Sequence, residues 1–192
     1  MPVLIIGLFL FLAIHSVKML APDWRERQIE KMGEQRWKGI YSLASAVTLS
    51  LAIWGFAFAR EGAEPLYVAP MWLRHVAIFL TAIAFVLFVA AYVPNNILKA
   101  KIGHPMLAGV KTWAFAHLLV NGRVPDLILF GGFLMWSGID FVKSRKRDRE
   151  QGVSYPPANP RGTAISIVAG LAAWAIFAYF LHGWLIGVRP LG

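Results

Sequence analysis

Six runs of apolar residues, each closed by charge, glycine or proline, lie near 3–21, 39–59, 72–93, 104–121, 125–142 and 163–188. A hydrocarbon layer roughly 30 Å thick takes about 20 helical residues at roughly 1.5 Å each, so runs of this kind read as membrane spans. Composition agrees, because 58% of the 192 residues are hydrophobic, only 15% are charged and mean hydropathy is +0.58. In lipid every backbone polar group needs a partner within the protein, and helices meet that demand segment by segment. The expected fold is an all-α integral membrane protein, a six-helix transmembrane bundle forming a single domain over 1–192.

The fourth and fifth runs are separated only by Asn121, Gly122, Arg123 and Pro125, a compact turn signal that suits a tight helical hairpin better than one long span. A five-span count would move the C-terminus to the other side. Lys and Arg placement arbitrates, since short positively charged loops stay cytoplasmic. The first, third and fifth loops hold 14 of them, whereas the second loop, the fourth loop and the C-terminus hold 4; Lys111, inside a run, completes the 19. That bias predicts an N-out, C-out protein of a bacterial cytoplasmic (inner) membrane, with both termini periplasmic. It also accounts for the net charge of +9 without nucleic acid.

The basic tract over 143–150 orients the chain, and its cations at 143–149 are also a surface for anionic lipid, at about 1 kcal/mol per Lys or Arg. After it, SYPPANPRG reads as an irregular connector. The first run lacks the positive leader and A-x-A site of a signal peptide, so it is expected to persist as a span. Gly131, Gly132 and Gly138 are expected to let another helix approach the fifth span. The chain has no cysteine, which excludes disulfides, thiolate haem ligation, Cys-based zinc sites and covalent haem attachment. No Gly-rich phosphate loop, paired intramembrane carboxylates or HExxH pattern supports hydrolysis or phosphoryl transfer.

Histidine is the remaining soft ligand, and two histidines share one metal only at matching depth. With the expected topology, His15 lies roughly 9 Å above the cytoplasmic end of the first span, and His104 opens the fourth span from that same side. His75, His117 and His182 fall in the periplasmic half. His104 and His117 are roughly 20 Å apart along an ideal helix and about 220° around it, so they cannot jointly hold one iron. His15 with His104 is one depth-matched pair, and His117 with His182 or His75 is the other; each histidine is otherwise a helix-packing residue. Lys111 sits nearly two turns after His104 on the same face, at about 700°. It has no acidic partner at its depth. It is therefore neutral, snorkelling towards the cytoplasm, or facing an anionic ligand group.

The segment HPMLAGVKTWAFAHLLVNG, followed by LILFGGFLMW, resembles the signature region of the NnrU family. His15-Ser16 and GEQRWKGIYSLAS at 33–45 are similar to that family's N-terminal pattern, and the likeness covers essentially the whole chain. The resemblance implies a bacterial inner-membrane protein associated with nitrite and nitric oxide reduction, that is, with denitrification. The family also takes in 15-cis-zeta-carotene isomerase, a plastid haem b protein that isomerises a carotenoid double bond. Carried over by motif, the His-Ser histidine falls on His15, the His-Pro histidine on His104 and the Ala-His histidine on His117. The isomerase's further histidine, in the region of the fifth span, has no counterpart here. The resemblance thus implies haem b as cofactor, with His15 and His104 as the expected iron ligands. His117 is expected to serve the substrate or support the ligands, and Lys111 to contact the cofactor or an anionic group.

Two other classes stay open at this level. A membrane component that assists assembly or maturation of a respiratory reductase needs no catalytic constellation, only denitrification reductases as partners, where the haem reading needs a hydrophobic small-molecule substrate. The His-Pro element with Gly109 also looks like part of the isoprenylcysteine methyltransferase pattern, but Gly103 stands where that pattern has Arg, and the tail after Val142 is basic.

Overall fold

A computed structural model describes residues 1–191; Gly192, the last residue of the expected domain, lies outside the described residues. The described chain is helical, with α1 Pro2–Leu20, α2 Pro22–Met32, α3 Glu34–Arg60, α4 Met71–Tyr92, α5 Ile97–Ile102, α6 Pro105–Val120, α7 Val124–Glu150 and α8 Pro160–Ile186. Five helices start with proline in the first turn, where its missing N–H would be unpaired anyway. Asn96 and Asn159 cap α5 and α8 by accepting from the backbone of Lys99 and Gly162. A π-helical turn at Phe177–Leu181 interrupts α8.

Helices α1, α3, α4, α7 and α8 are long and apolar enough to cross a membrane. The fourth apolar run forms the shorter α6, 16 residues or about 24 Å, with His104 outside it as the N-cap residue. The turn between α6 and α7 stands where the sequence placed it. Two other expectations need correction. Part of the first loop is the polar helix α2, and α3 begins at Glu34, held by a Glu34–Lys38 ion pair of 2.8 Å across one turn. The fifth run does not stop at 142, because the basic tract continues α7 to Glu150. Lys and Arg are good helix formers, and Lys146 lies 3.7 Å from Glu150.

Neighbouring helices follow the spatial order α3, α1, α7, α6, α4, α8, so the α6–α7 hairpin joins an α1–α3 pair to an α4–α8 pair. The α1–α3 crossing is set by two glycines. A Cβ on Gly7 would stand 2.5 Å from the Ala52 backbone nitrogen, and one on Gly55 would stand 2.4 Å from that of Leu4. Backbones therefore touch there, the small-residue packing that membrane helices use in place of hydrophobic drive. Of the three glycines expected to serve α7, only Gly132 meets a neighbour, the Leu8 side chain; Gly131 and Gly138 face open space.

Helix ends sort into two levels. At one, the ends of α1 and α7 meet the starts of α3 and α6, and the start of α8 meets the end of α4, with Asn159 N–H donating to the Asn95 carbonyl at 2.8 Å. At the other, Arg60 at the end of α3 lies 3.0 Å from Asp126 at the start of α7, without the alignment of a hydrogen bond. Asp126 is fully buried, and its other oxygen accepts from Arg123 N–H. The 61–70 loop folds over this end. The Tyr67 hydroxyl donates to the carbonyls of Leu118 and Asn121, and Leu66 N–H donates to Gly122.

Candidate functional site

His15 occupies the penultimate turn of α1 with its Nδ1 2.8 Å from the Phe11 carbonyl. A carbonyl only accepts, so Nδ1 carries the hydrogen and the neutral ring keeps its lone pair on Nε2. Aromatic rings hold the imidazole in place: Phe11 at 4.1 Å, Tyr41 of α3 at 5.4 Å and Trp136 of α7 at 6.1 Å between centroids. Trp136 is fixed in turn, since its indole N–H donates to Ser16 Oγ at 3.0 Å and Ser16 donates to Leu12 O.

His15 and His104 line one cavity of about 440 Å³, between the ends of α1 and α7 and the starts of α3 and α6. The depth match read from topology thus brings these two histidines to a shared space. His104 is held differently. Its Nε2 lies 2.7 Å from Asp148 Oδ2 on the polar extension of α7, leaving Nδ1 as its other nitrogen. The Tyr155 hydroxyl also donates to that carboxylate oxygen. Burial, reinforced by Asp148, raises the Tyr155 phenol above its ordinary value. Arg145 sits over the Tyr155 ring at 5.9 Å. The backbone allows this closure because Gly103 adopts φ +80°, and a Cβ there would strike Tyr155 and Arg145 at 2.5 and 2.6 Å.

The other expected residues lie elsewhere. Lys111 is exposed on the outer surface of α6, its ammonium 5.2 Å from the Phe141 ring, and it does not line the cavity. His117 belongs to the opposite end, stacked on Phe130 at 4.6 Å and beside Trp113 at 4.9 Å, with Nδ1 donating to the Trp113 carbonyl. His182 bonds Val188 O at 2.7 Å. Sequence reasoning missed Asp148 and Tyr155. Asp148 reads as a diluting charge within a basic loop, and only its placement on a continued helix makes it the partner of His104.

Among the described residues, no three histidines or carboxylates gather to hold a bare metal ion. The profile of the family described as NnrU protein matches residues 3–190. The chain belongs to the NnrU family. Comparison with curated proteins and with solved structures found no match. For this NnrU protein the match takes in every helix above apart from Pro2 of α1, so the cavity and the opposite, Asp126 end both fall inside the family region.

Proposed function

We propose that this NnrU protein crosses a bacterial cytoplasmic membrane six times, both termini periplasmic, and holds haem b in the His15–His104 cavity for a redox or isomerase-type role linked to nitrite and nitric oxide reduction. Support for six crossings comes from α6, which begins beside the end of α7 at His104–Asp148 and runs to the turn that starts α7. Support for the orientation is the 14 to 4 distribution of loop cations.

The observation that carries the haem reading is the Nε2 lone pair of His15, oriented by the Nδ1–Phe11 bond beside an open space. A ring nitrogen whose partner nitrogen is fixed to a carbonyl is the usual state of a metal-ligating histidine. His15 would supply one nitrogen to the iron. His104 would supply Nδ1 while its Nε2–H keeps Asp148, the same carboxylate–histidine arrangement. Haem, when bound, would supply a one-electron change at iron, tuned by the residues that hold it. The protein's own part is to fix both imidazoles, to wall the site with Tyr41 and Trp37, and to admit a hydrophobic small molecule.

The test is absorption spectroscopy of protein purified in mild detergent from haem-replete cells, oxidised and dithionite-reduced. A Soret band that is lost in His15→Ala and altered in His104→Ala, yet unchanged in His182→Ala, is expected. No Soret band in the unsubstituted protein overturns the reading.

A further inference from the structure

The cavity carries more positive charge than its own residues neutralise. Lys18 of α1, Arg25 of α2, Lys38 of α3 and Arg147 of α7 line it, against only Glu34 and Asp140. Glu34 is already paired with Lys38, and Asp140 is joined to Arg147 through the Ser144 hydroxyl, which donates to Asp140 and accepts from Arg147 at 3.1 Å each, so one carboxylate charge faces three cations. Among the described residues, no carboxylate lies at ion-pairing distance from Lys18, Arg25 or Arg147. Arg25 and Arg147 are moreover half-buried, where cations repel one another more strongly than in water. Three cations from three helices, converging beside the apolar surfaces of Val17, Trp37 and Leu107, make a place that is electrostatically incomplete without an anion.

We infer that this cavity seats the anionic end of an amphiphile, whose carboxylate or phosphate groups meet Lys18, Arg25 and Arg147 while its apolar body lies against Trp37 and Leu107. Guanidinium forks match both oxyanions in a bidentate manner. Two sources supply this chemistry: the carboxylates of a tetrapyrrole, which rests on the haem reading, and the phosphate of a membrane lipid, which does not.

The experiment uses the full chain in neutral detergent and two matched pairs of probes. Ferric haem b and its dimethyl ester are titrated by absorbance, and phosphatidylglycerol and phosphatidylcholine are compared by native mass spectrometry. The acidic member of at least one pair should bind roughly thirty- to a hundredfold tighter than its partner, as expected for two or three cations on one anionic end. Arg25→Gln/Arg147→Gln should abolish that preference, and Lys18→Gln, an exposed change that leaves folding alone, should reduce it. Lys143→Gln/Lys146→Gln, outside the cavity, should leave it intact. Preference for phosphatidylglycerol with neither haem form bound supports the seat and identifies lipid as its ligand, although the haem reading then falls. Equal binding within both pairs, or a preference that survives Arg25→Gln/Arg147→Gln and Lys18→Gln, overturns the inference.

Discussion

His104 and Asp148, forty-four residues apart, meet at 2.7 Å and tie the start of α6 to the polar end of α7. This contact closes the α6–α7 hairpin at the end opposite its turn. It also places a carboxylate behind a histidine that faces the cavity.

Asp148→Asn should therefore loosen that closure. A charge-assisted hydrogen bond contributes roughly 1.5–3 kcal/mol when well formed, and the partial exposure of this pair puts the expected loss at the low end, about 1 kcal/mol after solvent screening. Thermal unfolding in detergent should show Tm lower by a few degrees, with Lys146→Gln, on the exposed side of the same turn, unchanged within error.

Tyr155 gives the pH dependence of the same closure. Its phenol is held above the ordinary value, so the folded state keeps the proton more tightly than the unfolded chain does. Its contribution is fully present below the unfolded phenol pKa of about 10 and is lost as pH rises through the folded value. Protease sensitivity of the 151–159 connector should stay flat through neutral pH and rise in the alkaline range. Tyr155→Phe should already be sensitive at neutral pH and show no alkaline step.

At the opposite end, removing Asp126 leaves the half-buried Arg60 with only its hydrogen bond to Asn121 and takes away the side chain that accepts from Arg123 N–H. Asp126→Ala should destabilise by about 1–3 kcal/mol, below the range for a fully buried pair because Arg60 keeps some solvent and Asn121. Replacing both, as Arg60→Met with Asp126→Leu, should recover much of that loss. A double substitution no more stable than Asp126→Ala would show that the pair is held by more than mutual neutralisation.

The α1–α3 crossing predicts a contrast between glycines. Gly7→Val forces a side chain into the Ala52 backbone and should destabilise by about 3 kcal/mol or more, at the upper end for overpacking. Gly39→Ala on the same α3, where a Cβ meets nothing, should be neutral or slightly stabilising. Retained yield and Tm of both in detergent decide the matter.

Topology is checked with reporters. A periplasm-dependent enzyme fused after Gly192 should be active, and the same enzyme inserted at Gly152 should be silent. Activity at Gly152 with silence after Gly192 would mean that the orientation is inverted or that α6 does not cross, and silence at both positions would mean that α8 does not cross.

Hydropathy alone made the long helices readable, since a run of apolar residues has few other uses. The turn at Asn121–Pro125 was equally plain, because its residues disfavour continued helix. The co-location of His15 and His104 followed from counting residues to the ends of their runs. What escaped were features that depend on charged residues remaining helical. The polar helix α2 and the last eight residues of α7 look like solvated loop in one dimension, yet Arg25, Arg147 and Asp148 complete the cavity and its rim from there. Lys111 left several uses open in the sequence; the fold exposes it, and its long flexible stem carries the ammonium to the Phe141 ring.

The cavity draws its walls from Ile14 through Arg147. During synthesis, α1 and α3 enter the bilayer long before α7 leaves the ribosome, so for most of translation half of the site faces lipid without its opposite wall. The cavity is therefore walled on all sides only once α7 has inserted. A chain truncated before Asp148 would keep both histidines and the α1–α3 crossing, yet lack the rim that closes over the ligand.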